Sequence, residues 1–177
     1  SFAVLFGIDL TEEFPIIWLR LKKAINQGAK VIFIGHYAPE IAPHLTETIL
    51  HSPGHELEML KKHLPQISSL KEKGKGAIFV GRQYLTTPHR KTILSELLKF
   101  QQSTSNVSLN LLEGRGNSMG ARFAGMHPEL GPLGNAIEKP GLNVLQLIET
   151  TSKNGWDFLY IAGADPATKY PSNIWNE

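Results

Sequence analysis

Four short apolar runs end in the same way: Phe2-Ala-Val-Leu-Phe-Gly7, Lys30-Val-Ile-Phe-Ile-Gly35, Gly76-Ala-Ile-Phe-Val-Gly81 and Phe158-Leu-Tyr-Ile-Ala-Gly163. Each is rich in β-branched and aromatic residues and does not alternate with polar ones. A strand buried on both faces of a parallel sheet reads this way. The closing glycine lets the backbone turn sharply at the strand's carboxyl end. Val107 to Leu112 is a fifth candidate strand, and a weaker one lies around Thr48 to His51.

Helical periodicity falls between these runs. After Thr11-Glu12-Glu13, the apolar positions Phe14, Ile17, Trp18, Leu21 and Ile25 keep a 3.6-residue period, with Arg20, Lys22, Lys23 and Gln27 on the other face. Acids in the first turn, bases in the last and Gly28 as the stop match the helix dipole and its capping rules. Pro88 suits the first turn of a helix carrying Ile93, Leu94, Leu97 and Leu98. Leu57, Leu60 and Leu64 mark a helix ended near Pro65, and Leu142, Leu145 and Ile148 mark one ended by Asn154-Gly155. Strands alternating with helices of this length predict βαβ units and an α/β fold.

Residues 113–141 break the pattern, with seven of the sixteen glycines together with Pro128, Pro132 and Pro140. Such a Gly/Pro-rich connection is functional or flexible. The two ends of the chain also repeat one another. With Gly163 set on Gly7, Phe158 falls on Phe2, Asp165 on Asp9, Tyr170 on Phe14 and Pro171 on Pro15. Two related strand–turn–helix units predict a pseudo-twofold pair of lobes, the first over residues 1–64 and the second over residues 65–177. The second copy stops at Trp175-Asn176-Glu177, and the first starts directly in an apolar run, so the sequence reads as truncated at both ends.

Composition narrows the chemistry. The chain has 177 residues, no cysteine and a formal charge of +2. The absence of cysteine in these residues excludes a Cys-ligated cluster or zinc site, a thiol nucleophile and a disulfide framework. The small net charge argues against nucleic acid, which calls for a strong basic patch. The longest apolar stretch, Phe2 to Ile8, falls far short of the ~20 residues of a spanning helix, so no direct membrane insertion is expected.

In open α/β sheets ligands settle outside the carboxyl ends of the strands. The turns Gly7–Thr11, Gly35–Pro39, Gly81–Thr87 and Gly163–Thr168 therefore come first. Asp9 and Asp165 have two readings: acceptors for a sugar hydroxyl or a guanine-type edge, or caps of the helices behind them. Gly114-Arg115-Gly116-Asn117-Ser118-Met119-Gly120 resembles a glycine-rich phosphate loop, with Arg115 and Arg122 suited to phosphates. Gly125 and Pro128, however, interrupt the helix a dinucleotide fingerprint needs. His51 and His55 are four apart but separated by Pro53-Gly54, so they share no helix face. No zinc-protease, nucleophile-elbow or GxxxxGK[ST] pattern is present, and no catalytic or metal-ligating set is expected.

The run Gly7-Ile-Asp9-Leu-Thr11-Glu12-Glu13-Phe14-Pro15, followed by Trp18-Leu-Arg20-Leu and Gly28-Ala-Lys-Val-Ile, resembles the molybdopterin-oxidoreductase-type domain of the large iron–sulfur subunit of NADH:quinone oxidoreductase (complex I). The likeness continues through Pro53-Gly54, Ala77–Gly81, Asn117–Arg122 and Gly163-Ala-Asp165-Pro166-Ala167. It implies Rossmann-like lobes of the dimethyl-sulfoxide-reductase superfamily, each holding a guanosine end of a bis-pterin molybdenum cofactor in active relatives. There the first turn carries Asn-Pro, where this chain has Asp9-Leu10. The second strand ends in Asp-Pro-Arg, here Gly35-His36-Tyr37, and the guanine contact Pro-Gly-Thr-Asp is Pro53-Gly54-His55-Glu56.

On this resemblance Gly7, Asp9, Gly54, Glu56, Gly163 and Asp165 are vestigial cofactor contacts and molybdopterin is lost. The parent subunit's Fe–S clusters would lie outside these residues. The implied role is a structural domain in the hydrophilic arm of a respiratory NADH:quinone oxidoreductase. The other arm subunits would be its partners, on the cytoplasmic side of a bacterial inner membrane. Two alternatives compete: a fragment of a working molybdopterin oxidoreductase such as formate dehydrogenase, and a nucleotide-binding α/β module like the central domain of thiamine-diphosphate enzymes.

Overall fold

The computed structural model describes residues 1–70, 74–104, 106–113, 117–154 and 156–169. They form two compact units, Ser1–Gly116 and Asn117–Glu177. The first unit is built on five parallel strands: β1 (Phe2–Phe6), β2 (Lys30–Gly35), β3 (Glu47–Leu50), β4 (Gly76–Val80) and β5 (Val107–Leu111). They lie in the order β3-β2-β1-β4-β5. Phe2 pairs with Lys30 on one side and with Gly76 on the other, so β1 is central. The α/β class and the all-parallel sheet agree with the sequence. The lobe boundary expected after residue 64 falls inside a helix of this unit, and the units divide at residues 116 and 117.

Alternate residues of each strand feed two cores. Phe2, Val4, Phe6, Ile32, Ile34, Ile78 and Val80 face one layer, and Ala3, Leu5, Val31 and Phe33 the other. Helices α3 (Glu56–Leu70) and α5 (Arg90–Gln102) cover the first layer through Leu60, Ile67, Ile93 and Leu97. Helix α2 (Pro15–Asn26) covers the second through Leu21, Ile17 and Trp18. Val4, Leu5, Phe6, Phe33 and Ile34 have no exposed surface. At about 1.5–3 kcal/mol for each such side chain, this double-sided burial is what holds the sheet.

Two local expectations change. The amphipathic stretch after Thr11 is not one helix. A short α1 (Leu10–Glu13) precedes α2, and the chain breaks at Phe14, with φ −142° and ψ 65°. Pro15 is the cause, because its ring bars the helical conformation at the residue before it. Helix α2 ends as expected: Gly28 at φ +87° lets its own amide reach the Ile25 carbonyl and the Ala29 amide reach that of Ala24. Helix α3, by contrast, does not stop at Pro65 but runs through it to Leu70. The missing Pro65 amide leaves the Lys61 carbonyl without its helical donor. Burial of Ile67 and Leu70 in the core outweighs that loss.

The second unit contains α6 (Ser118–Phe123), α7 (Val144–Asn154) and α8 (Pro166–Lys169), with a one-turn 3-10 helix at Pro132–Gly134. The strand expected over Phe158–Gly163 does not form. Phe158 and Tyr160 are 78% and 79% exposed, and among the described residues nothing pairs with this segment. An apolar run becomes a strand only with a neighbour to complete its ladder. The repeat survives locally: Gly163 adopts φ +63° against φ +57° at Gly7, and in each copy an aspartate caps the helix that follows. Tyr170 and Pro171, which complete the repeat in sequence, lie outside the described residues.

Candidate functional site

From β1 the chain moves outward to β2 and β3, then returns past β1 to β4 and β5. The reversal lies between β1 and β4, and a crevice opens beyond the carboxyl ends of strands at such a point. A cleft of about 670 Å³ lies here, lined by Gly7, Glu12, Glu13, His36, Tyr37, Pro53, Gly54, Glu56, Arg82, Gln83, Thr86, Thr87 and Pro88. Of the six residues singled out by sequence, the fold brings Gly7, Gly54 and Glu56 together in its wall. Gly163 and Asp165 belong to the second unit.

Asp9 turns away from the cleft. Its Oδ1 accepts the Thr11 amide at 3.0 Å and the Thr11 hydroxyl at 2.7 Å, while Oδ2 accepts the Glu40 amide at 2.9 Å. It is 5% exposed and therefore an N-cap that also ties down the loop after β2. Asp165 makes the matching exposed cap, accepting the Thr168 amide and hydroxyl. The Thr168 hydroxyl, then its amide, holds the Asp165 carboxyl below its ordinary range.

Gly7 is required by its surroundings as well as by its positive φ. A Cβ there would stand 2.5 Å from Cβ of Gln83 and 2.8 Å from the Tyr84 ring. Both neighbours come from the short helix α4 (Arg82–Leu85) that follows β4. Gln83 also accepts the His36 amide at 3.0 Å, so one side chain links the ends of β1, β2 and β4. The Gly7 amide is already spent on the Ile34 carbonyl, at 2.8 Å.

Glu56 opens α3 and is only 2% exposed. Its Oε1 accepts from His36 Nε2 at 2.8 Å and from the Gly54 amide at 3.0 Å, while Oε2 is buried with no partner. Burial alone would raise this carboxyl. The Gly54 and Glu56 amides and His36 together outweigh burial and hold it below its usual value. The His36 ring meets His51 edge-on, 5.0 Å between centroids. His51 Nδ1 lies 2.9 Å from the Ser52 carbonyl, which can only accept, so Nδ1 carries the proton in the neutral ring and Nε2 accepts the Tyr84 hydroxyl at 2.8 Å. Tyr84 has no exposed surface; burial, then the charge of Glu56, pushes its phenol well above the ordinary range.

The cleft's charge is acidic: Glu12, Glu13 and Glu56 face a single guanidinium, that of Arg82. Burial raises the Glu13 carboxyl, against the Asp9 amide and Arg82. In the sequence His36 stands out only as a departure from a motif and His51 only as half of a histidine pair that shares no helix face, while Gln83 and Tyr84 carry no signal of a role. Their position alone, just after the strand-ending Gly81 in the turn Gly81–Thr87, places Gln83 and Tyr84 at the carboxyl end of the sheet. Of the glycine-rich loop, Gly114, Arg115 and Gly116 lie outside the described residues, and Ser118–Phe123 is a six-residue helix. Among the described residues no group of His, Asp or Glu is placed to hold a metal ion.

No curated protein matches the chain. The family model described as molybdopterin oxidoreductase matches residues 1–176, nearly the whole sequence, and accords with the five-stranded parallel sheet and its switch-point cleft. The chain belongs to the molybdopterin oxidoreductase family.

Proposed function

We propose that this is a cofactor-less, structural molybdopterin-oxidoreductase domain of a respiratory NADH:quinone oxidoreductase, serving as scaffold and subunit interface in the hydrophilic arm. The single observation supporting the loss of cofactor is that two contact positions in the cleft wall are taken by the protein's own side chains, Gln83 against Gly7 and His36 on Glu56. The bis-pterin cofactor of the family carries pyrophosphates and guanosine ends, and such a group does not fit this cleft. Gln83 stands against Gly7, where a phosphate would have to approach the backbone. His36 and the Gly54 amide occupy the Glu56 oxygen that a guanine edge would need. Three carboxylates against one arginine oppose an anionic ligand.

The placement in the NADH-oxidising complex rests on the sequence motifs from Gly7 to Pro15 and from Gly163 to Ala167. The partners are then the other subunits of the hydrophilic arm, and the site of action is the cytoplasmic face of a bacterial inner membrane. Among the described residues no helix is long and apolar enough to cross a membrane. The family match extends over the whole α/β region and favours this reading over the thiamine-diphosphate module.

Immunoprecipitation from detergent extracts of native membranes tests the proposal, using antibody raised against this chain. NADH:quinone reductase activity should co-precipitate, and the purified chain should carry no stoichiometric molybdenum or pterin. Co-precipitation of a formate-dependent activity with stoichiometric molybdenum would establish the working-enzyme alternative instead.

A further inference from the structure

Strand β4 is apolar throughout, a pattern that predicts burial on both faces, yet only one face of it is closed. Ile78 and Val80 have no exposed surface, whereas Ala77 and Phe79, which point the other way, are half-buried. The two faces of the sheet differ in their cover. Adjacent strands lie about 4.8 Å apart and a helix with its side chains is about 10–12 Å across, so a five-stranded face has room for two helices side by side. On the first face these are α3 and α5. On the second, α2 is the one long helix of this unit among the described residues, and it packs over β1 and β2. Beside it, over β4, lies a groove of about 290 Å³, floored by Ala77 and Phe79 and walled by Ile17, Leu21 and Ala24 of α2.

The border of this groove selects its occupant. Arg20 and Lys75 line it, and among the described residues neither meets an acid. Ile16 and Lys23, four residues before and three after Arg20, share its side of α2 and are exposed, Ile16 by 69%. Beyond β4 the next strand presents Ser108 and Asn110 on the same face, so the apolar floor is a narrow stripe. An occupant that closes the groove brings apolar side chains to this stripe and carboxylates to the two cations. An amphipathic helix lying beside α2 does both, with apolar residues three and four apart toward the sheet and Asp or Glu on the flanks.

We propose that the groove between α2 and β4 is the seat of an acidic amphipathic helix supplied by a partner protein. The inference rests on the domain's being a subunit interface, but not on which enzyme it serves.

Photo-cross-linking tests it, with Ile16→p-benzoylphenylalanine introduced into the protein in its own cells and the cross-linked peptides identified by mass spectrometry. The expected product is a peptide of another protein, with an apolar i, i+3, i+4 stripe flanked by Asp and Glu. Arg20→Glu combined with Lys75→Glu, both at exposed positions, should lower its yield at least about fivefold. The same probe at Leu98, an exposed residue of α5 on the opposite face of the sheet, should not give that peptide. Cross-links confined to this chain, to a second copy of it or to lipid overturn the proposal, and so does the absence of any product. A yield unchanged by charge reversal overturns the acidic assignment. A matching helix from a different complex upholds the docking and defeats the placement in NADH:quinone oxidoreductase.

Discussion

The hydroxyl of Tyr84 donates to Nε2 of His51 at 2.8 Å, joining the first turn after β4 to the loop after β3 across the mouth of the cleft. Neither strand neighbours the other, since β2 and β1 lie between them. The bond therefore ties opposite sides of the switch point, and it is backed by Tyr84 packing on Phe6 at 5.1 Å between ring centroids.

Tyr84→Phe keeps that packing and removes only the donor. A loss of about 1 kcal/mol is expected, measured as a lower urea midpoint. The wild-type protein should also weaken in alkali. The folded phenol is held above its unfolded value of 10.0, so its contribution is intact below that pH and is lost as pH rises beyond it. Tyr84→Phe should flatten that decline in a pH series of denaturation curves.

Glu56 acts at the other end of the scale. Its folded carboxyl titrates below the unfolded value of 4.5, so the stability it contributes is present above that pH and falls away in acid. Glu56→Gln leaves His36 and the Gly54 amide facing a neutral amide, and should cost about 1.5–3 kcal/mol at neutral pH. The difference between variant and wild type should shrink as pH drops below 4.5.

The two capping aspartates should behave differently despite their matched turns. Asp9→Ala removes acceptors for two amides and one hydroxyl at a 5%-exposed position, and about 2 kcal/mol of stability should go with them. Asp165→Ala, at an exposed cap of a four-residue helix, should leave the urea midpoint of the sheet-containing unit unchanged.

Gly7→Ala should be among the most damaging small changes. The left-handed backbone costs an alanine about 1–2 kcal/mol by itself. The added methyl would also sit 2.5 Å from Cβ of Gln83. A marked fall in melting temperature with the secondary structure retained is the expected outcome. An unchanged melting temperature would mean that Gln83 does not occupy this space.

Pro65→Ala should act in the opposite direction. It restores an amide donor to the Lys61 carbonyl inside α3, whose helix already continues to Leu70. A gain of about 1–3 kcal/mol is expected, visible as a higher melting temperature.

The sequence by itself determined β1, β2 and β4, whereas β3, which has no fully buried residue, is only weakly marked. A strand buried on both faces must be apolar throughout, and runs such as Phe2–Phe6 and Lys30–Gly35 carry that pattern. It also determined the helix stop at Gly28, because a left-handed terminus selects glycine locally. Tertiary structure decided the rest. Phe158–Gly163 carries the same apolar signature as β1 yet forms no strand, since a strand exists only through a neighbour that the run cannot specify. The core kept α3 helical through Pro65. Strand order decided the site: β4 beside β1 drives Gln83 against Gly7, and the adjoining strand ends bring His36 onto Glu56. The glycine and the carboxylate were legible in the sequence as candidate ligand contacts. That the protein fills both positions with its own side chains is a long-range consequence of packing, which no local pattern encodes.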